Sequence, residues 1–371
     1  MLIQNAKAFI DGKFQEKTDL LIRDGRISAI GTGLAAEGEE LLDLGGDLLL
    51  PGFVDVHIHA FKGMDTMQGE EAVRHMSREL KKVGVAAFLP TTMSASPEDT
   101  VKALAGVKAV MERPEPDGAI VLGAHMEAPF LAEAKAGAQL KQYFVDPNEE
   151  NWQRYTCGQE SVVRLITMAP ERAGAMEFIS ALTKKGITVS IGHTTADAET
   201  THAAAEAGAT HVTHTFNAQT PLNHRAPGVP GAALVDDRLQ CEVISDGIHL
   251  HPDIVKLIIR TKGKEKLVAI TDAMEAAGMP DGQYQLGGQE VFVHEGAARL
   301  KDGTLAGSTL TMIRAFQNLI RFGATPEEAA LMTTKTPALS IGNEELGEIE
   351  LGAPAIFSRF DENYAFKGTV G

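Results

Sequence analysis

The chain has 371 residues, 44% of them hydrophobic and 23% charged, with a formal net charge of −16 at pH 7. That length suits a barrel of about 250 residues with a smaller accessory domain, and no low-complexity or acidic tract suggests a disordered arm. The negative balance argues against nucleic acid or an anionic membrane as partner, because both are held by clustered Lys and Arg, whereas a small phosphorylated ligand needs only a few local donors.

The opening Met1-Leu2-Ile3-Gln4-Asn5-Ala6-Lys7 lacks the basic start and apolar core of a signal peptide. No stretch reaches the run of about 18 apolar residues that a spanning helix needs. Cys157 and Cys241 make no disulfide framework, so a cytoplasmic location is expected. The first segment then reads as short strands: Leu2 to Ile10, Asp19 to Ile22 and Ile27 to Ile30, with turns at Asp11-Gly12 and Asp24-Gly25. Asp-Gly between apolar runs is a hairpin signal, so this part is β-rich and lies outside any barrel.

From Leu48 the pattern changes to short apolar runs separated by amphipathic stretches. The runs are Gly52 to Val56, Val85 to Leu89, Ala119 to Leu122, Val162 to Met168, Ile187 to Ile191, Thr210 to Thr213, Gln240 to Ile244, and Leu267 to Thr271. Continuous apolar character suits parallel strands buried on both faces. Helices are expected over Glu71 to Val83, Pro97 to Glu112, Glu171 to Lys185, Ala196 to Ala207, Pro252 to Thr261 and Ser308 to Arg321.

Eight such repeats favour a closed (β/α)8 barrel, a TIM-like α/β fold, over an open doubly wound sheet. Gln283 to Leu300 and Leu346 to Phe360 return to strands and Gly turns. The expected division is residues 1–48 and 341–371 pairing as a small β-sandwich domain, with residues 49–340 as the barrel.

Active sites of such barrels lie at the C-terminal ends of the strands, and polar residues fall there repeatedly. His57 and His59 follow the first run at i and i+2, a spacing that aims both imidazoles the same way on a strand. Glu127 ends the third run, His193 the fifth and His214 the sixth. Each alone is commonly a turn residue or an interior histidine; together they make a set that can hold Zn²⁺ or Fe²⁺. Asp272 ends the eighth run, where it is either a helix N-cap or the acid–base group that a metal-activated water requires.

In Pro51-Gly52-Phe53-Val54-Asp55-Val56-His57-Ile58-His59, Glu127-Ala128-Pro129-Phe130, Gly192-His193-Thr194, Thr213-His214-Thr215-Phe216-Asn217-Ala218, Ser245-Asp246-Gly247-Ile248-His249 and Thr271-Asp272-Ala273-Met274, the chain resembles the amidohydrolase superfamily. Within it, the chain is similar to the N-acetylglucosamine-6-phosphate deacetylase family. The resemblance implies a metal-dependent deacetylase of amino sugar catabolism, with Glu127, His193 and His214 holding the principal ion and Asp272 as general base and then general acid. It implies that His57 and His59 permit a second ion. It further implies a substrate site of Gln139, Asn217, Ala218, His224, His249 and Leu305, in a homodimer where Arg225 reaches the phosphate bound by the neighbouring subunit.

Ala128 stands where family members usually have Gly, Gln139 where they have His, and Ala355 where a related chain often has Asp. Gln139 can hydrogen-bond a sugar hydroxyl but carries no charge. The residues leave open an amidohydrolase for another N-acetylhexosamine 6-phosphate, such as N-acetylgalactosamine 6-phosphate, and a barrel that binds without catalysis.

Overall fold

The computed structural model describes residues 1–35 and 38–371. The eight runs form parallel strands: Phe53–Ile58, Val85–Thr92, Ala124–Met126, Val163–Met168, Thr188–Ile191, His211–Val212, Gln240–Ile244 and Leu267–Ile270. Each pairs with the next in sequence order. The third strand is interrupted, with Ile120–Val121 pairing the second strand before the chain resumes at Ala124. Closure comes from Asp272 N donating to His57 O at 2.8 Å and from a parallel bridge between Ile58 and Ala273. Asp55 clasps the same seam, accepting from Thr271 Oγ1 at 2.6 Å. Burial pushes the Asp55 carboxyl up to about 6 even though Thr271 and backbone N–H groups bond to it.

Helices begin where the sequence caps them. Ser96 accepts from Asp99 N and Pro97 occupies the first turn of Pro97–Glu112; Thr325 and Glu328 form a capping box ahead of Pro326–Thr333. Ala329, Ala330 and Met332 of that last helix are buried against the strands. Two helices start a full turn later than periodicity suggests, and the one expected from Ala196 begins at Ala198. The expected Ser308 to Arg321 helix begins at Met312, because Ser308 exchanges backbone hydrogen bonds with Asp272 and Met274. The expected Glu171 helix begins at Ala175, because Glu171 instead binds Thr195 N and Oγ1 across the barrel mouth.

The chain ends meet in a second β unit. Strand Phe357–Phe360 pairs antiparallel with Leu48–Pro51, which pairs with Leu2–Ile10, followed by Lys13–Arg23 and Arg26–Gly31. Ile27 N donates to Ala353 O and Ala355 N to Gly25 O, so this sheet curls back on itself. It encloses its own core of Ile3, Leu20, Ile27, Leu49, Phe357 and neighbours. A third, three-stranded sheet, Gly282–Leu286, Gln289–His294 and Ala297–Arg299, packs through Leu286, Val291 and Ala298 on Met93, Met274 and Ala306 at the barrel mouth.

Candidate active site

The strand ends deliver the polar residues to one place. His193 Nε2 and His214 Nε2 lie 3.0 and 3.1 Å from the same Glu127 oxygen and 3.2 Å from each other. His59 Nε2 lies 3.2 Å from the other Glu127 oxygen and 3.2 Å from Asp272 Oδ1, with His57 Nε2 3.6 Å from both carboxylates. All six residues are buried. His193, His214 and Asp272 reach this point through left-handed backbone, with φ of 46°, 29° and 49°. Non-glycine residues rarely adopt that conformation, and it concentrates at functional sites.

The set fits a divalent cation. His193 Nδ1 faces Lys135 O at 2.8 Å and His59 Nδ1 faces Thr91 O at 3.2 Å. A carbonyl can only accept, so the neutral rings carry their protons there and turn bare Nε2 lone pairs on one another. Zn–N bonds near 2.0–2.1 Å at tetrahedral angles place ligand atoms roughly 3.3 Å apart, which matches the Glu127, His193 and His214 separations. His57, His59 and Glu127 form a second group of the same kind that shares the carboxylate.

Burial alone would push the Glu127 carboxyl up, but when the imidazoles carry protons on Nε2 in place of an ion, the His57 charge and hydrogen bonds from His193, His214 and His59 hold it well below the usual range. Asp272 is likewise kept low against its burial by His57, His59 and His214, which leaves it ionised.

His59, Glu127, His193, His214 and Asp272 line one cavity of about 300 Å³, together with Gln139, Asn217, Ala218, His249 and Leu305. His249 Nδ1 is fixed by Asp246 at 2.7 Å. Gln139 turns inward: its Nε2 donates to Glu127 at 2.5 Å and its carbonyl accepts from Ser94 N at 2.7 Å. Both ends are thus engaged by the protein, the amide nitrogen donating to Met93 Sδ at 3.5 Å as well. His224 and Arg225 are not brought to this cavity; they sit on the exposed 221–227 segment. Sequence reasoning missed Met93, Lys135, Leu286 and Thr304, which also line it, and Glu242, which lies 3.1 Å behind His57.

The model of the Amidohydrolase family matches residues 48–368. The chain is 36% identical to the N-acetylglucosamine-6-phosphate deacetylase of Lysinibacillus sphaericus, covering 100% of this chain and 96% of that protein. It is 36% identical to the N-acetylgalactosamine-6-phosphate deacetylase of Escherichia coli O157:H7, covering 91% and 88%. A mutant N-acetyl-D-glucosamine-6-phosphate deacetylase from Mycobacterium smegmatis, solved in complex with N-acetyl-D-glucosamine-6-phosphate, superposes with a TM-score of 0.92 at 31% identity over 100% and 97% of the two chains. The chain therefore belongs to the amidohydrolase family, as a metal-dependent hydrolase of amide bonds.

Proposed function

We propose that this protein hydrolyses the acetamide of N-acetylglucosamine 6-phosphate to acetate and glucosamine 6-phosphate in the cytoplasm, in amino sugar catabolism. In this reading Glu127, His193 and His214 hold Zn²⁺ or Fe²⁺, and His57, His59 and Glu127 can hold a second ion. The observation that carries the reading is the Asp272 carboxylate, 3.2 Å from His59 Nε2 and lining the same cavity as Glu127, His193 and His214. When bound, such an ion polarises the amide carbonyl and lowers the pKa of water from about 16 toward about 7.

The remaining work falls to the chain's own residues. Asp272 takes the proton of the attacking water and gives it to the amide nitrogen as the C–N bond breaks. His249, its Nδ1 occupied by Asp246, orients the carbonyl or the sugar. Asn217 and Ala218 contact the sugar phosphate, Leu305 packs on the ring, and the Gln139 side chain meets a hydroxyl. Arg225, with His224 beside it, is assigned to the phosphate in the neighbouring subunit of a homodimer, where a guanidinium matches two phosphate oxygens. Its exposure in the single chain supports that assignment.

N-acetylgalactosamine 6-phosphate is the second reading, favoured by Gln139 in place of the histidine that the sequence resemblance leads one to expect. An acetate-release assay on both 6-phosphates and on unphosphorylated N-acetylglucosamine separates the cases. The highest kcat/KM is expected for N-acetylglucosamine 6-phosphate. Equal turnover of the unphosphorylated sugar would contradict the phosphate assignment.

A further inference from the structure

His57 is supported differently from its neighbours. His59 and His193 lean on backbone carbonyls, but His57 Nδ1 lies 3.1 Å from a carboxylate oxygen of Glu242. Glu242 sits inside the seventh strand, and both residues are 0% exposed. An ionised carboxylate only accepts, so this contact keeps the proton of a neutral His57 on Nδ1 and leaves Nε2 as a bare lone pair. That Nε2 has no hydrogen-bond partner and faces Glu127 and Asp272 at 3.6 Å each.

Charge points the same way. Among the described residues, Glu127, Glu242 and Asp272 are buried carboxylates whose ion-pair partners are imidazoles alone. Such a concentration of buried negative charge calls for cations. The second Glu242 oxygen has no partner, so no wider hydrogen-bond network explains a carboxylate in this strand.

We infer that Glu242 is a positioning residue for a cation at His57, His59 and Glu127: it fixes the His57 tautomer, raises its basicity and thereby determines whether that position fills. The inference rests on the metal centre of the proposed function, and the two are separable because each ion can be counted. Chelator-stripped protein is reconstituted with Co²⁺, and ions per chain, their affinities and the visible absorption of the bound ions are measured for wild type, Glu242→Gln and Glu242→Leu.

Wild type is expected to hold two ions. Glu242→Leu is expected to keep the ion at Glu127, His193 and His214 and to lose the other with its spectral contribution. Glu242→Gln, which preserves an acceptor without the charge, is expected to bind the second ion about 10- to 100-fold more weakly. Adding His57→Ala to Glu242→Leu causes no further loss of ions, because both act on one ligand. Should the leucine variant not fold, the glutamine variant and its spectrum decide. Wild-type affinity and spectrum in both folded Glu242 variants overturn the inference, as does a wild-type protein that holds one ion only. Failure of wild type to bind any ion overturns the metal centre itself.

Discussion

Asp272 combines burial, two imidazole neighbours and a left-handed backbone at φ 49°. A non-glycine residue held there costs on the order of 1–3 kcal/mol, which the surrounding seam must offset. Asp272→Asn retains the shape and removes the proton acceptor. It is expected to lower kcat by about 10²–10⁴-fold with bound ions unchanged, measured by acetate release beside metal analysis; a near-normal rate would remove Asp272 from the chemistry.

Glu127, His193, His214 and Asp272 were legible because each interrupts an apolar run at its C-terminal end, where a barrel builds its site. Glu242 also interrupts an apolar run, in Gln240-Cys241-Glu242-Val243-Ile244, but inside the strand. A charge in a strand buried on both faces was a signal available to sequence reasoning and left unused. Met93 and Leu286 could not be found that way, since they reach the cavity through tertiary placement of a strand end and of a separate sheet.

At the scale of elements, the strands were readable because parallel strands covered on both sides need apolar residues at nearly every position. The starts of the Met312 and Ala175 helices were not, because contacts distant in sequence claim Ser308 and Glu171. The turn into His193 depends on Gly192, where an added Cβ would lie 2.6 Å from Thr213 Cβ and 2.7 Å from Thr167 Cγ2. Gly192→Ala is expected to destabilise the fold by about 1–3 kcal/mol and to weaken metal binding, read by denaturant titration and ion affinity; unchanged values would show that the barrel interior yields there.

On helix Glu70–Lys82, hydrogen bonds from Lys62 and Lys82 lower the Glu79 carboxyl from 4.5 to about 2. A depressed folded-state pKa gives stability that is present above 4.5 and lost as pH falls toward 2. Glu79→Gln is therefore expected to be less stable than wild type at neutral pH, with the difference shrinking through that acid window in melts at a series of pH values. A difference independent of pH would contradict the ion pairing.

For the whole molecule, the barrel gathers the reacting groups and the sheet Gly282–Arg299 covers one side of the cavity through Leu286. In the dimer we propose, cationic help for a phosphate would come from Arg225 of a second subunit. Arg225→Ala and Asp272→Asn should each be poorly active alone, yet mixed dimers regain one site with both groups intact. Random reassortment gives half heterodimers with one good site of two, so activity should return to roughly a quarter of wild type under the two-fold symmetry of a dimer; no recovery after verified subunit exchange would place Arg225 outside the neighbouring site.

The most direct test of the central claim is acetate release from N-acetylglucosamine 6-phosphate by chelator-stripped protein titrated with Zn²⁺. Activity is expected to be absent at the start and to rise in step with ions bound at Glu127, His193 and His214. Undiminished turnover in the stripped protein, or no acetate at full metal occupancy, would contradict it.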